Sequence, residues 1–236
     1  MKLYVNGDSH AAAAEAVNQH AFAEDDSRYF YMGRVPHPEN FKVSWARRLS
    51  ESLKLPLYCD AESASSNARI LRTTREWINA NLDSVADTLM IIQWSTWERE
   101  EWILDGKTYQ VTASGTDDVP SDYRDRYRQW IIDLNYQTCT ENAHREIWDF
   151  HNELSALGCR HIFINGNNCF DKILPAQQHD WGNCYIGAYD PKLTYNSWLR
   201  NNGFATVSPD SWHFGSDGHA AWHRSVLQYI IKNKLV

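Results

Sequence analysis

No apolar run in the 236 residues approaches the ~20 needed to cross a bilayer. The beginning lacks an apolar leader as well, because Asn6, Gly7 and Asp8 interrupt Leu3-Tyr4-Val5 almost at once. These two shortages argue against a helical membrane span and give the expectation of a cytoplasmic chain with no membrane partner. Paired cysteine is also missing. The five cysteines, Cys59, Cys139, Cys159, Cys169 and Cys184, are odd in number, scattered, and never spaced Cys-x-x-Cys. That pattern fits a reduced compartment better than a disulfide framework. Basic charge is scarce: 23 Lys and Arg against 30 Asp and Glu leave a net charge of −7. A general nucleic-acid binder normally shows a basic face, so no nucleic-acid partner is expected. Repeats, low-complexity tracts and linkers are lacking too, so residues 1–236 read as one domain.

What is present is ordinary in bulk, with 43% hydrophobic and 22% charged residues. The exception is eleven tryptophans. Trp97, Trp102, Trp181 and Trp212 fall in polar, loop-like sequence. Large flat indoles there suit either sugar stacking or the core.

Short apolar runs alternate with helical patterns. Lys2 to Val5, Pro56 to Cys59, Leu89 to Ile92 and His161 to Ile164 read as buried strands. Helical spacing covers Ala11 to Ala16, Phe41 to Leu55, Asn67 to Leu82, Asp122 to Leu157 with an interruption near Thr138-Thr140, Leu193 to Arg200, and Gly218 to Lys232. Residues 24–40 and 166–190 read as loops. Residues 98–122 read as an insertion, with a hairpin around Tyr109-Gln110-Val111. This alternation predicts an α/β fold with a parallel sheet, whose ligand site lies at the carboxyl ends of the strands. Ser9, Gln93-Trp94-Ser95 and Asn165 follow strands one, three and four, so all fall on one rim.

Gly7-Asp8-Ser9-His10 follows the first strand, and Asp210-Ser211-Trp212-His213 precedes the last helix. A serine hydroxyl needs a base to become a nucleophile, and that base needs an orienting acid. Ser9, His213 and Asp210 fit those roles in the order Ser, Asp, His. A serine at a helix start also has N–H groups aimed at a developing oxyanion.

These blocks resemble the SGNH (GDSL-like) hydrolase superfamily. Ser9 matches the nucleophile, and Asp210-Ser211-Trp212-His213 matches the Asp-x-x-His block. Gly218-His219 is similar to the Gly-His that often trails it. Ser63-Ala64-Ser65-Ser66-Asn67 looks like the second block, with Ala64 where the family keeps an oxyanion glycine. Gln93-Trp94-Ser95-Thr96 stands at the third block, with Ser95 in place of an asparagine. The resemblance implies a three-layer α/β/α sandwich with a flavodoxin-like sheet. It also implies ester hydrolysis without a cofactor, and an oxyanion hole from Ser9, Ala64 and Ser95. The third-block segment with Glu98 to Trp102 is similar to a divergent group found among tailed-phage proteins, which adds a virion as an alternative location.

Trp94, Arg99, Asn165 and Trp212 are the candidate substrate contacts, and an O-acetylated glycan or small ester is the expected partner. The alternative is a non-catalytic descendant, a glycan-binding or virion module. His219 and His223 have the i, i+4 spacing of a metal pair. Without a carboxylate motif they are expected to be structural, and no metal is assigned. A metallophosphoesterase reading of Asp8-Ser9-His10 lacks the Gly-Asp-x-x-Asp and Asn-His blocks that such enzymes need. The sequence leaves the oligomeric state open.

Overall fold

A computed structural model describes residues 1–20, 36–113, 115 and 119–236. Five parallel strands make the central sheet: β1 (Lys2–Asn6), β2 (Leu57–Cys59), β3 (Thr88–Trp94), β6 (Arg160–Asn165) and β7 (Tyr185–Ile186). Their order is β2-β1-β3-β6-β7, so the chain runs outward in both directions from β1. Two strands outside this sheet, β4 (Glu100–Leu104) and β5 (Lys107–Val111), form an antiparallel hairpin. It turns at Asp105-Gly106, both at positive φ, as a tight hairpin turn requires.

Side chains of the central strands alternate between two cores, as the strand period demands. Tyr4, Met90, Ile92, Trp94 and Phe163 pack with α3 (Asn67–Ala80) and α5 (Tyr136–Ala156). Leu3, Val5, Leu89, Ile91, Ile162 and Ile164 pack with α2 (Trp45–Leu53), α6 (Tyr195–Asn201) and α7 (Ser216–Lys232). The fold is therefore a single α/β/α sandwich. A smaller cluster of Trp102, Leu104, Val111, Val119 and Tyr127 joins the hairpin to α4 (Arg124–Asp133).

Several expectations are corrected. The Phe41 to Leu55 stretch is divided: α1 (Pro38–Lys42) ends at Val43, and Ser44 caps α2 by accepting from the Arg47 N–H. The long helical stretch breaks at Leu134-Asn135 rather than at 138–140, because Asn135 caps α5 by accepting from the Thr138 N–H. The segment read as a loop at 166–190 contains β7. The loop expected at 24–40 falls outside the described residues from 24 to 35.

The largest departure is at Ala11 to Ala16, which forms no helix. One turn closes as Ala11 and Ala12 donate to the Asp8 carbonyl at 3.0 Å, and then Ala13 and Glu15 adopt left-handed backbone. Helix propensity is worth only tenths of a kcal/mol per residue and yields to context. Here the far end is pinned: Asn40 Oδ1 accepts from the Val17 and Asn18 N–H groups at 2.9 and 2.7 Å. The alanines from Ala11 to Ala14 are buried.

Candidate active site

The site is built at the carboxyl ends of β1, β2 and β3. Gly7 makes the exit from β1 possible. A Cβ there would stand 2.8 Å from the Ala11 Cβ and 3.0 Å from the Gln93 carbonyl, closer than side chains tolerate. Asp8 then turns the chain, its Oδ1 accepting from the His10 N–H at 3.0 Å. Ser9 follows at 7% exposure, and its hydroxyl has no hydrogen-bond partner among the described residues.

The left-handed residues Ala13 and Glu15 bring the chain back across this turn. Glu15 Oε2 lies 2.9 Å from His213 Nδ1. The Ser211 hydroxyl donates to the same oxygen, and the His213 N–H donates to Ser211 Oγ at 3.0 Å. A carboxylate only accepts, so Nδ1 carries the proton and Nε2 of the neutral ring keeps its lone pair. The bond from His213 holds the Glu15 carboxyl below the usual carboxylate range; burial opposes this and the Ser211 bond adds to it.

This geometry corrects the expected acid. Asp210 is exposed and bonds to nothing among the described residues, and Glu15 occupies the place on His213 Nδ1. Glu15 was hidden in the sequence by the alanine run that suggests helix. The one available signal was a single charge among small apolar residues.

Two further histidines lie under His213. The His10 ring centre is 5.5 Å from that of His213 and 5.0 Å from that of Tyr195. Burial pulls its pKa down to about 4, with Asp8 opposing. His219 is pulled to about 3, first by burial and then by the neighbouring histidines. Its Nδ1 accepts from the Trp45 N–H at 3.3 Å. His223 faces Ser52 Oγ at 2.9 Å instead, so His219 and His223 have separate partners.

The other half of the rim is a buried polar network. Asp8 Oδ2 accepts from the Ser95 hydroxyl at 3.0 Å and pairs with Arg99 Nη1 at 3.3 Å. Arg99 Nη1 also donates to Ser95 Oγ at 2.9 Å. The Ser95 N–H is held by Asn67 Oδ1 at 2.9 Å. The Ser95 hydroxyl proton is thus committed to a carboxylate, which corrects its expected role as a free oxyanion donor. Arg99 Nε and Nη2 have no partner among the described residues, and the side chain is 18% exposed.

Ala64 has φ +66°, a backbone region that favours glycine, and is half-buried. The N–H groups of Ser9 and Ala64 donate to nothing among the described residues. Such strain in a non-glycine residue persists only where its surroundings impose it.

The expected substrate contacts divide. Trp94 is fully buried between Phe150 and Phe163, and Asn165 is fully buried with its Oδ1 taken by the Tyr185 hydroxyl at 2.6 Å. Both are core residues below the rim. Trp212 is 67% exposed beside His213, whereas Trp97, Trp102 and Trp181 are buried.

No family model matches the chain, and no curated protein matches it. Among solved structures, it is similar to an acetyl xylan esterase, Est2A, from the rumen bacterium Butyrivibrio proteoclasticus, at 14% identity and a TM-score of 0.46. The match covers 99% of this chain but only 64% of that one. Among the described residues no helix is long and apolar enough to cross a membrane.

Proposed function

We propose that the chain is a serine ester hydrolase of SGNH type with Ser9 as nucleophile, His213 as base and Glu15 as the orienting acid. The observation that carries this reading is the 2.9 Å contact between His213 Nδ1 and Glu15 Oε2 on the rim that bears Ser9. It leaves Nε2 as the proton acceptor. Ser9 Oγ attacks the ester carbonyl while its proton passes to Nε2. The oxyanion is held by the unengaged N–H groups of Ser9 and Ala64, with the Arg99 charge nearby. Collapse breaks the ester C–O bond, and the alcohol leaves with the proton from His213. Water, deprotonated by the same nitrogen, then hydrolyses the acyl-enzyme. Ser9 and His213 share no hydrogen bond among the described residues; one must form with substrate, as catalytic hydrogen bonds often do.

The substrate class proposed is a small ester, such as an O-acetyl group on a carbohydrate. Trp212 supports it as the exposed indole beside the base. One observation favours a non-catalytic glycan-binding module instead: the Ser95 hydroxyl, the expected side-chain donor to the oxyanion, is committed to Asp8. The two readings separate on p-nitrophenyl acetate and a fluorophosphonate probe. The enzyme hydrolyses the ester and is labelled at Ser9, and Ser9→Ala loses at least ~10³-fold of the rate. A folded protein that neither hydrolyses nor labels is the binding module.

A further inference from the structure

At the opposite end of the sheet, three donor atoms meet that the ester chemistry does not use. His151 comes from α5, His161 from the amino-terminal half of β6, and Cys184 from the residue just before β7. Their ligand atoms, one from each side chain, all lie within 4.8 Å of one another. His151 Nδ1 and His161 Nε2 are 2.8 Å apart. We propose that this cluster is a transition-metal site with a His-His-Cys donor set, suited to zinc.

The strongest support is the far side of the His161 ring. Its Nδ1 lies 3.0 Å from the Cys159 carbonyl, which can only accept. Nδ1 therefore carries the proton, and the Nε2 lone pair faces His151 Nδ1, with the Cys184 ligand atom inside the same 4.8 Å cluster. Histidines that bind metals are fixed in this way, with the second nitrogen donating to a carbonyl or carboxylate. His161 is buried, so its ring has little freedom to choose another partner. His151 is steadied by the Trp148 ring stacked 5.0 Å away and by the Trp181 ring edge-on at 5.6 Å. The donors thus come from α5, β6 and the turn before β7, and the fold orients the two histidines.

Chemistry narrows the metal. Two imidazoles and a thiolate are borderline-to-soft donors, which excludes magnesium and calcium as fitting occupants and fits zinc. Tetrahedral zinc has N and S ligands at ~2.0–2.3 Å, so the two nitrogens must separate by a few tenths of an ångström on binding. His151 is half-buried and can move by that amount. Without metal, the His151 Nδ1–H donates to His161 Nε2. With metal, that proton moves to the other nitrogen of His151, and the Cys184 thiol gives up its proton to solvent. Three protein ligands leave a fourth position for water.

The test uses the whole chain, stripped of metal with a chelator and then desalted. Calorimetry with zinc chloride is expected to show saturable uptake that Cys184→Ser and His151→Gln each weaken at least ~100-fold, more than loss of an outer-shell partner alone would. Cobalt(II) is expected to give a near-ultraviolet thiolate charge-transfer band in the native chain and none in Cys184→Ser. Thermal unfolding without metal verifies that each variant is folded, and the half-buried His151 supplies a second arm should Cys184→Ser unfold. No zinc uptake, or uptake unchanged in a folded variant, overturns the proposal. Uptake abolished by His213→Ala instead places the metal at the other end of the sheet and overturns it equally.

Discussion

The two halves of the rim hold their polar groups in different ways. Around His213 the contacts are few and partly exposed: a carboxylate on Nδ1, a hydroxyl on its N–H, and side chains of His213 and Glu15 that are 20% and 29% exposed. Around Asp8 they are dense and, apart from Arg99, buried, with Ser95, Arg99 and Asn67 interlocked. The first half is free to pass a proton. The second is fixed, which suits a charge that must be met without reorganisation. The contrast explains why Asp8, directly before Ser9, is not proposed as the orienting acid: it is committed to Arg99 and Ser95.

The largest expected effect lies on the open half. Glu15→Gln should lower kcat by ~10²–10⁴, as loss of an orienting carboxylate does elsewhere. Asp210→Asn should leave kcat near the native value. Steady-state hydrolysis of p-nitrophenyl acetate measures both, and the reverse ranking would return the orienting role to Asp210.

On the closed half, Ser95→Ala should destabilise the fold by ~1–3 kcal/mol, because Asp8 loses a buried donor. Its rate should change little. A loss of ~10²–10³ in rate with intact stability would make Ser95 an oxyanion donor after all. Denaturant unfolding and kinetics on one preparation decide between these outcomes.

Acid should separate the two halves further. His10 and His219 are neutral when folded, with pKa values pulled from 6.5 to about 4 and about 3. The unfolded chain binds protons at these positions below pH 6.5 and the folded chain does not. Their stabilisation is therefore complete above 6.5 and falls as pH drops toward 4 and 3, by up to ~1.4 kcal/mol per unit for each histidine. Glu15 works in the same direction at lower pH, since its folded value is depressed. Unfolding measured at pH 7 and pH 5 should show this loss, and His219→Asn should make it shallower.

The smallest effect is expected at Ala64. Glycine there relieves the left-handed strain but adds freedom to the unfolded chain, so Ala64→Gly should shift stability by no more than ~1 kcal/mol. Its rate should be unchanged if the N–H is what matters. A large gain in rate would show that the Ala64 Cβ crowds the oxyanion.

Strands β1, β3 and β6 were legible because continuous apolar runs have few other homes. The two-residue β7 leaves no period to read. Ser9 and His213, on which the proposed chemistry rests, were suggested by their places after the first strand and before the last helix. Glu15 was not, because its direction depends on the backbone of Ala13 and Glu15, and alanine composition argues for the opposite local structure. Trp94 and Asn165 show the complementary error. They stand at strand ends in the sequence, yet Trp94 packs against Phe150 and Phe163 and Asn165 accepts from the Tyr185 hydroxyl, both fully buried.

The contact between Glu15 and His213 joins residues 198 positions apart. Glu15 follows the first strand and His213 precedes the last helix, so their meeting closes a loop of nearly the whole chain. Closing so long a loop costs entropy that local helices do not bear. In refolding, recovered ester hydrolysis would therefore trail recovered helical signal, and it would mark the moment when the two ends of the chain dock.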